Sequence, residues 1–241
     1  MFNIAIDGPS GAGKSTVAKA AAKALGFIYV DTGAMYRTVG VAAMRRGVET
    51  TDAAGVARIL GEITIDVRFA QGQQHVYLNG EDVSDEIRLP QASMAASNVS
   101  AIPAVRAFLF DLQKSFAKNN NCIMDGRDIG TVVLPDARLK IFLVASPEIR
   151  AKRRCKELEE RGTPVAYETL LEEIKQRDYN DANRPIAPLK PAADAIMLDS
   201  SDLTVDEVVE RIVTLARDAG ACVWKSPLPK PQASASAWTV R

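Results

Sequence analysis

Apolar residues fall along this chain in two rhythms. Short uninterrupted runs at residues 2–6 and 27–30, then "CIMD" at 122–125, "KIFLVA" at 140–145 and "AIMLD" at 195–199, are each followed by turn residues and then by helical spacing. Runs that are apolar on both faces predict parallel strands covered by helices on either side, with ligands at the carboxyl ends of the strands. The middle of the chain differs. "ITIDVRF" at 63–69 and "QHVYLNG" at 74–80 alternate and are rich in β-formers, which predicts an antiparallel pair joined by a turn containing Gly72, with a third strand around Asp82–Val83. Helices are expected at 34–46, 52–61, 89–100, 103–118, 148–161 and 167–183, the last stopped by Pro185, with an amphipathic helix at 204–218. After Trp224 the segment "KSPLPKPQASASAWTVR" loses periodicity, and residues 225–241 are expected to be a disordered tail.

Composition adds few constraints. A chain of 241 residues that is 47% hydrophobic is long enough to bury a substantial core. Lys plus Arg and Asp plus Glu both number 30, so the chain lacks the basic excess of a general nucleic-acid binder, and an anionic ligand has to be met by locally arranged arginines. Cys122, Cys155 and Cys222 are odd in number and far apart, which fits reduced thiols better than a disulfide framework. No apolar run approaches a membrane span and no basic-then-apolar leader opens the sequence, so a cytoplasmic protein is expected.

The strongest chemical signal is "IAIDGPSGAGKSTVAKA" at 4–20. Gly8, Pro9, Ser10, Gly11, Ala12, Gly13, Lys14 and Ser15 satisfy the G-x-x-x-x-G-K-[ST] pattern, with Thr16 continuing into the helix. Small residues let successive amides curl round a phosphate, the helix aims its positive end at the same place, Lys14 reaches the outer phosphates and the Ser15 hydroxyl can ligate Mg²⁺. The cofactor implied is MgATP or another nucleoside triphosphate. Switches, motors and kinases share this loop, so the acceptor side decides the reaction.

"VDTGAMYR" at 30–37 follows the second strand and places Asp31, Thr32, Tyr36 and Arg37 at a helix start, where the alternative is an N-cap followed by a surface arginine. "MDGRDIGTVV" at 124–133 sets Asp125, Arg127 and Asp128 at the end of a buried strand, where charge is costly unless it meets a ligand or a partner. Arg150, Arg153 and Arg154 fall at i, i+3 and i+4 on one helix face, either as a solvated surface or as an anion-facing lid. Arg177, Asp181 and Arg184 share a face at i, i+4 and i+7, where a simple ion pair would leave Arg184 over.

Taken together, "IDGPSGAGKST", "DTGAMYR", "EDVSDEIR", "MDGRDIGTVVLPDA", "RDYNDANRPIAPL" and "ADAIMLDSS" resemble the bacterial cytidylate kinases of the nucleoside monophosphate kinase group, from Phe2 to about Ala219. The resemblance implies a P-loop NTPase-type three-layer α/β/α fold with a five-stranded parallel sheet, lid helices and a small antiparallel β insert in the NMP-binding arm. It divides residues 1–224 into a core (1–31, 101–147 and 185–224), an acceptor arm (32–100) and a lid (148–184). It implies transfer of a phosphate from MgATP to CMP or dCMP by a monomer that needs neither nucleic acid nor membrane. Lys14 and the lid arginines Arg150, Arg153 and Arg154 would act in catalysis, and Arg37 and Arg127 would clamp the acceptor phosphate. By the same resemblance Thr32 lies near phosphate and base, and Ser97, Arg106 and Asp128 lie at the cytosine. Arg177 and Asp181 match the ribose contacts, and Arg184 lies near the acceptor. Thr32 stands where serine is common, and keeps the hydroxyl. Kinases of another small acceptor such as UMP or shikimate are the nearest alternative. A GTPase-like switch lacks its N-K-x-D signature here, and a P-loop scaffold without catalysis has no motif in its favour.

Overall fold

A computed structural model of the chain describes residues 1–70, 73–160, 162–222 and 238–240. In chain order its elements are β1 (Asn3–Asp7), α1 (Lys14–Leu25), β2 (Ile28–Asp31), α2 (Thr32–Arg45), α3 (Ala53–Leu60), β3 (Ile65–Ala70), β4 (Gln73–Leu78) and β5 (Glu81–Asp82). There follow α4 (Pro90–Ser100), α5 (Pro103–Asn119), β6 (Cys122–Gly126), β7 (Leu139–Val144), α6 (Pro147–Glu160), α7 (Tyr167–Asn183), β8 (Ile196–Asp199), α8 (Val205–Asp218) and β9 (Trp238–Val240). The fold is α/β, with a five-stranded parallel sheet in the order β2-β6-β1-β7-β8 and a separate antiparallel sheet in the order β5-β4-β3-β9.

The chain divides into two compact units. One comprises Phe2–Leu25 and Ile123–Cys222. Its strands are in parallel register, Ile4–Asp7 against Leu139–Phe142 and Ile141–Val144 against Ile196–Asp199. Ile4, Ile6, Ile123, Met124, Ile141 and Leu143 are fully buried, as expected of strands covered on both faces. Helix α8 opens on a capping box in which the Thr204 hydroxyl accepts from the Glu207 amide and the Glu207 carboxylate accepts from the Thr204 amide.

The other unit comprises Met1, Gly26–Cys122 and Val223–Arg241. Asp31 ends β2 and N-caps α2, its carboxylate accepting from the Ala34 amide at 2.9 Å. Helices α2 and α4 approach closely at Gly40, where a Cβ would lie 2.7 Å from that of Ala95. In the insert, Ile65 and Val67 of β3 face Leu78 and Val76 of β4, and all four are buried.

The expected strand and helix positions are met within a few residues, with three exceptions, the first a single 3₁₀ turn at Glu86–Arg88. Residues 129–133 form one turn of π-helix where no element was expected. The expectation of a structureless carboxyl terminus fails at Trp238–Val240, which pair antiparallel with Ile65–Val67 because β3 otherwise offers an open edge. The remaining tail residues, 225–237 and 241, and the expected turn at Gly72 lie outside the described residues. No helix among the described residues is long and apolar enough to cross a membrane.

Candidate active site

Strand β1 ends at Asp7 and hands the chain directly to the glycine-rich loop. Gly8 has to be glycine because a Cβ there would lie 2.0 Å from the Leu143 carbonyl oxygen of neighbouring β7. Lys14, at the start of α1, is 6% exposed and donates through Nζ to the Pro9 carbonyl at 2.7 Å, so the ammonium lies over the loop. Burial, reinforced by the Arg127 guanidinium, holds its pKa well below the ordinary lysine value. Ser15 Oγ donates to the Asp125 carboxylate at the end of β6, at 2.8 Å. A hydroxyl beside a carboxylate, next to a buried ammonium, is an oxygen-rich set that suits Mg²⁺ and polyphosphate together. Pro9, Ser10 and Gly13 are half-buried and Ala12 is buried, while Gly11, Ser15 and Thr16 are exposed.

Strands β1 and β6 are neighbours, so the loops that leave them meet. Asp7 accepts from the Ile129 amide at 2.8 Å and from the Gly130 amide at 2.7 Å, one amide to each oxygen. Burial pushes its carboxyl up to about 6, against the lowering effect of those two amides. The turn thus anchored carries Arg127 and Asp128. Arg127 does not pair with its neighbour. Its Nε donates to Asp181 of α7 at 2.8 Å, while Arg184 donates to Asp128 at 3.2 Å and to the Ala187 carbonyl at 2.5 Å. Burial raises the Asp181 carboxyl, but Arg127, Arg177 and Arg184 outweigh it and hold the group below the ordinary carboxylate value. Two arginine–carboxylate pairs therefore join α7 to the β6 turn, and Arg184 is not left over as a simple i,i+4 reading would have it.

The three arginines of α6 do not present one common face to an anion. Arg150, 2% exposed, donates to Ala145 and Ser10 carbonyls at 2.8 and 3.0 Å and forks onto Asp178 of α7 at 3.0 and 2.5 Å. Arg153 reaches the Ser200 carbonyl at 2.5 Å, and Arg154 pairs with Glu157 at 2.7 Å on the surface. Arg150 and Arg153 thus find partners outside α6, and of the three only Arg154 pairs within it. Sequence reasoning assigned no role to Asp7 or Asp178, and marked Asp125 only as a charge at a buried strand end. Asp7 and Asp125 carry a legible signal, since each stands at or near the carboxyl end of a buried strand, whereas Asp178 has none.

The other unit holds Asp31, Thr32, Tyr36, Arg37, Ser97 and Arg106. Besides capping α2, Asp31 accepts from Arg37 Nη2 at 2.7 Å, so the capping and arginine readings hold together. Arg37 Nε is buried with no hydrogen-bond partner among the described residues. Thr32 is buried in the first turn of α2. The Arg106 guanidinium lies 5.9 Å from the Tyr36 ring centroid, bringing those two together. Ser97 is half-buried on α4.

With this geometry in view, comparison with known proteins is direct. The family model for cytidylate kinase matches residues 4–218. A cytidylate kinase of Caldicellulosiruptor saccharolyticus is 52% identical over 214 residues, covering 89% of this chain and 95% of that one. One from Pelotomaculum thermopropionicum is 51% identical over 212 residues, covering 88% and 94%. Among solved structures, a sugar kinase from Janibacter sp. HTCC2649 aligns with a TM-score of 0.46 at 16% identity, over 94% of this chain and 99% of that chain. On the family match and the identity to these relatives, the chain belongs to the cytidylate kinase family and is a nucleoside monophosphate kinase.

Proposed function

We propose that this kinase transfers the terminal phosphate of ATP to CMP and dCMP, giving CDP and dCDP. The observation that carries the reading is the pair of neighbouring loops after β1 and β6. One is a phosphate cradle holding Lys14 and Ser15, and the other is a turn presenting Arg127 and Asp128. The names of the relatives, all cytidylate kinases, support the choice of nucleotide.

In this reading MgATP supplies the phosphoryl group and a divalent cation to offset its charge, held by the loop amides, Lys14 and Ser15 with Asp125 behind it. Such a transfer needs positioning and charge neutralisation more than covalent help, and no general base is required. Arg37 and Arg127 hold the acceptor phosphate. Arg177 and Asp181 meet the ribose, Arg184 lies beside the acceptor, and Asp31, Thr32 and Tyr36 line its approach. At the base, Asp128 accepts from the exocyclic amine of cytosine while Ser97 and Arg106 donate to O2 and N3; uracil offers an acceptor where that amine stands, so Asp128 rejects it. Arg154, whose surface pair with Glu157 is cheap to exchange, and Arg153 neutralise the moving group, and Arg150 fixes the loop rim through Ser10. Residues 148–184 act as the lid that excludes water, 32–100 as the acceptor arm, and the rest of 1–224 as the core. The protein is read as a cytoplasmic monomer acting on small nucleotides alone.

The test is an ADP-release assay with Mg²⁺ across CMP, dCMP, UMP and shikimate, on the wild type, Lys14→Ala and Asp128→Ala. Lys14→Ala is expected to lower kcat by about two to four orders of magnitude, the scale of losing a preorganised charge at the transferring group. Asp128→Ala is expected to raise KM for CMP and to erode the preference over UMP. An Asp128→Ala enzyme with an unchanged CMP/UMP ratio removes the base-reading role, and no CDP from wild type, CMP and MgATP removes the reaction.

A further inference from the structure

The family match ends at residue 218, and β9 lies beyond it. The strand occupies the open edge of β3, with Val240 opposite Ile65, Thr239 opposite Asp66 and Trp238 opposite Val67. Its side chains are engaged on both faces of the sheet. The Trp238 ring sits 5.8 Å from Phe69 and 4.9 Å from Phe116 of α5, and Phe116 is fully buried, while the Thr239 hydroxyl donates to the Asp66 carboxylate. Pairing of this kind completes a sheet edge and fixes the register of the strand it joins.

That register matters on the far side of the sheet. Phe69 of β3, one of the rings against Trp238, pairs with Gln74 of β4. The Gln74 side-chain amide then copies a strand pairing onto the end of β2, accepting from the Asp31 amide at 2.8 Å and donating to the Asp31 carbonyl at 3.1 Å. Asp31 in turn caps α2 and holds Arg37. The whole chain of contacts from Trp238 to Arg37 lies within one unit.

We propose that Gln74 is a positioning residue for the acceptor-phosphate arginine Arg37, and that the carboxyl-terminal strand Trp238–Val240 is a strap that keeps Gln74 in register. The proposal rests on the reading of Arg37 given above. Gln74 touches no reacting atom. It holds both backbone groups of Asp31, so the Asp31 carboxylate stays aimed at the guanidinium. Two hydrogen bonds and a cap fix the arginine before any phosphate arrives, which lowers the ordering cost of binding the acceptor.

The test is steady-state kinetics on the full chain carrying Gln74→Ala, Trp238→Ala or both, varying CMP at saturating ATP and then ATP at saturating CMP. Gln74→Ala is expected to raise KM for CMP about fivefold, the scale of a lost hydrogen-bonding side chain, with kcat and KM for ATP little changed. Trp238→Ala should move KM for CMP the same way by a smaller factor, and the double variant should be no worse than Gln74→Ala alone, because both act through one path. Should Trp238→Ala fail to fold, Thr239→Val, which removes only the hydroxyl on Asp66, takes its place. Wild-type KM for CMP in Gln74→Ala, a fall in kcat with both KM values altered, or multiplicative effects in the double variant each overturn the proposal. Wild-type enzyme that makes no CDP points instead to failure of the underlying reaction.

Discussion

Asp7 sets stability against function at one side chain. Each of its oxygens takes one amide of the 129–130 turn, so the ionised carboxylate fits and the protonated form gives up an acceptor. Its folded pKa, about 6, lies above the ordinary 3.8. Between those values the folded protein binds a proton that the unfolded chain does not, so this group's contribution to stability is complete at low pH and is lost as pH rises through about 6. The turn that carries Arg127 and Asp128 needs the opposite state. We expect kcat/KM for CMP to fall as pH drops below about 6, and Asp7→Asn, which can accept only one of the two amides, to be impaired at every pH without that acid limb. A wild-type acid limb in Asp7→Asn would assign the titration elsewhere. Lys14 and Ser15 are legible in the sequence because both belong to one contiguous motif, although the carboxylate that meets Ser15, Asp125, lies far along the chain. The bond from Asp7 to Gly130 joins residues more than a hundred positions apart, and strand order alone brings them together.

At the scale of elements, apolar rhythm and caps locate most of the chain. Pro90, Pro103 and the Asp31 and Asp52 caps mark helix starts where expected. What the pattern misses is decided by pairing: a three-residue strand is too short to show alternation, and the π-turn at 129–133 depends on Asp7. The arginines of α6 show the same limit, since helical spacing describes their face and not the acid on α7 that meets Arg150. Gly40 gives a case where two effects compete. Alanine is favoured over glycine inside a helix by about 1 kcal/mol, yet the added methyl meets Ala95 of α4 at 2.7 Å, and overpacking costs about 1–3 kcal/mol. Gly40→Ala is therefore expected to lower the urea midpoint of unfolding, and a higher midpoint would show that α4 yields without cost.

Across the whole molecule, the candidate chemistry divides with the fold. Lys14, Ser15, Asp125, Arg127, Asp128, Asp181 and Arg184 belong to one unit, and Arg37, Tyr36, Ser97 and Arg106 to the other. Arg37→Ala is thus expected to leave MgATP affinity by calorimetry unchanged while raising KM for CMP; a matching loss of ATP affinity would contradict that division of labour. The chain has only two tryptophans, Trp224 and Trp238. Because Trp238 is wedged among aromatic rings, replacing Trp224 with phenylalanine leaves a single emitter that watches the insert. Its fluorescence offers an optical gauge of how firmly the far end of the polypeptide is moored, readable in a cuvette during turnover and needing no label.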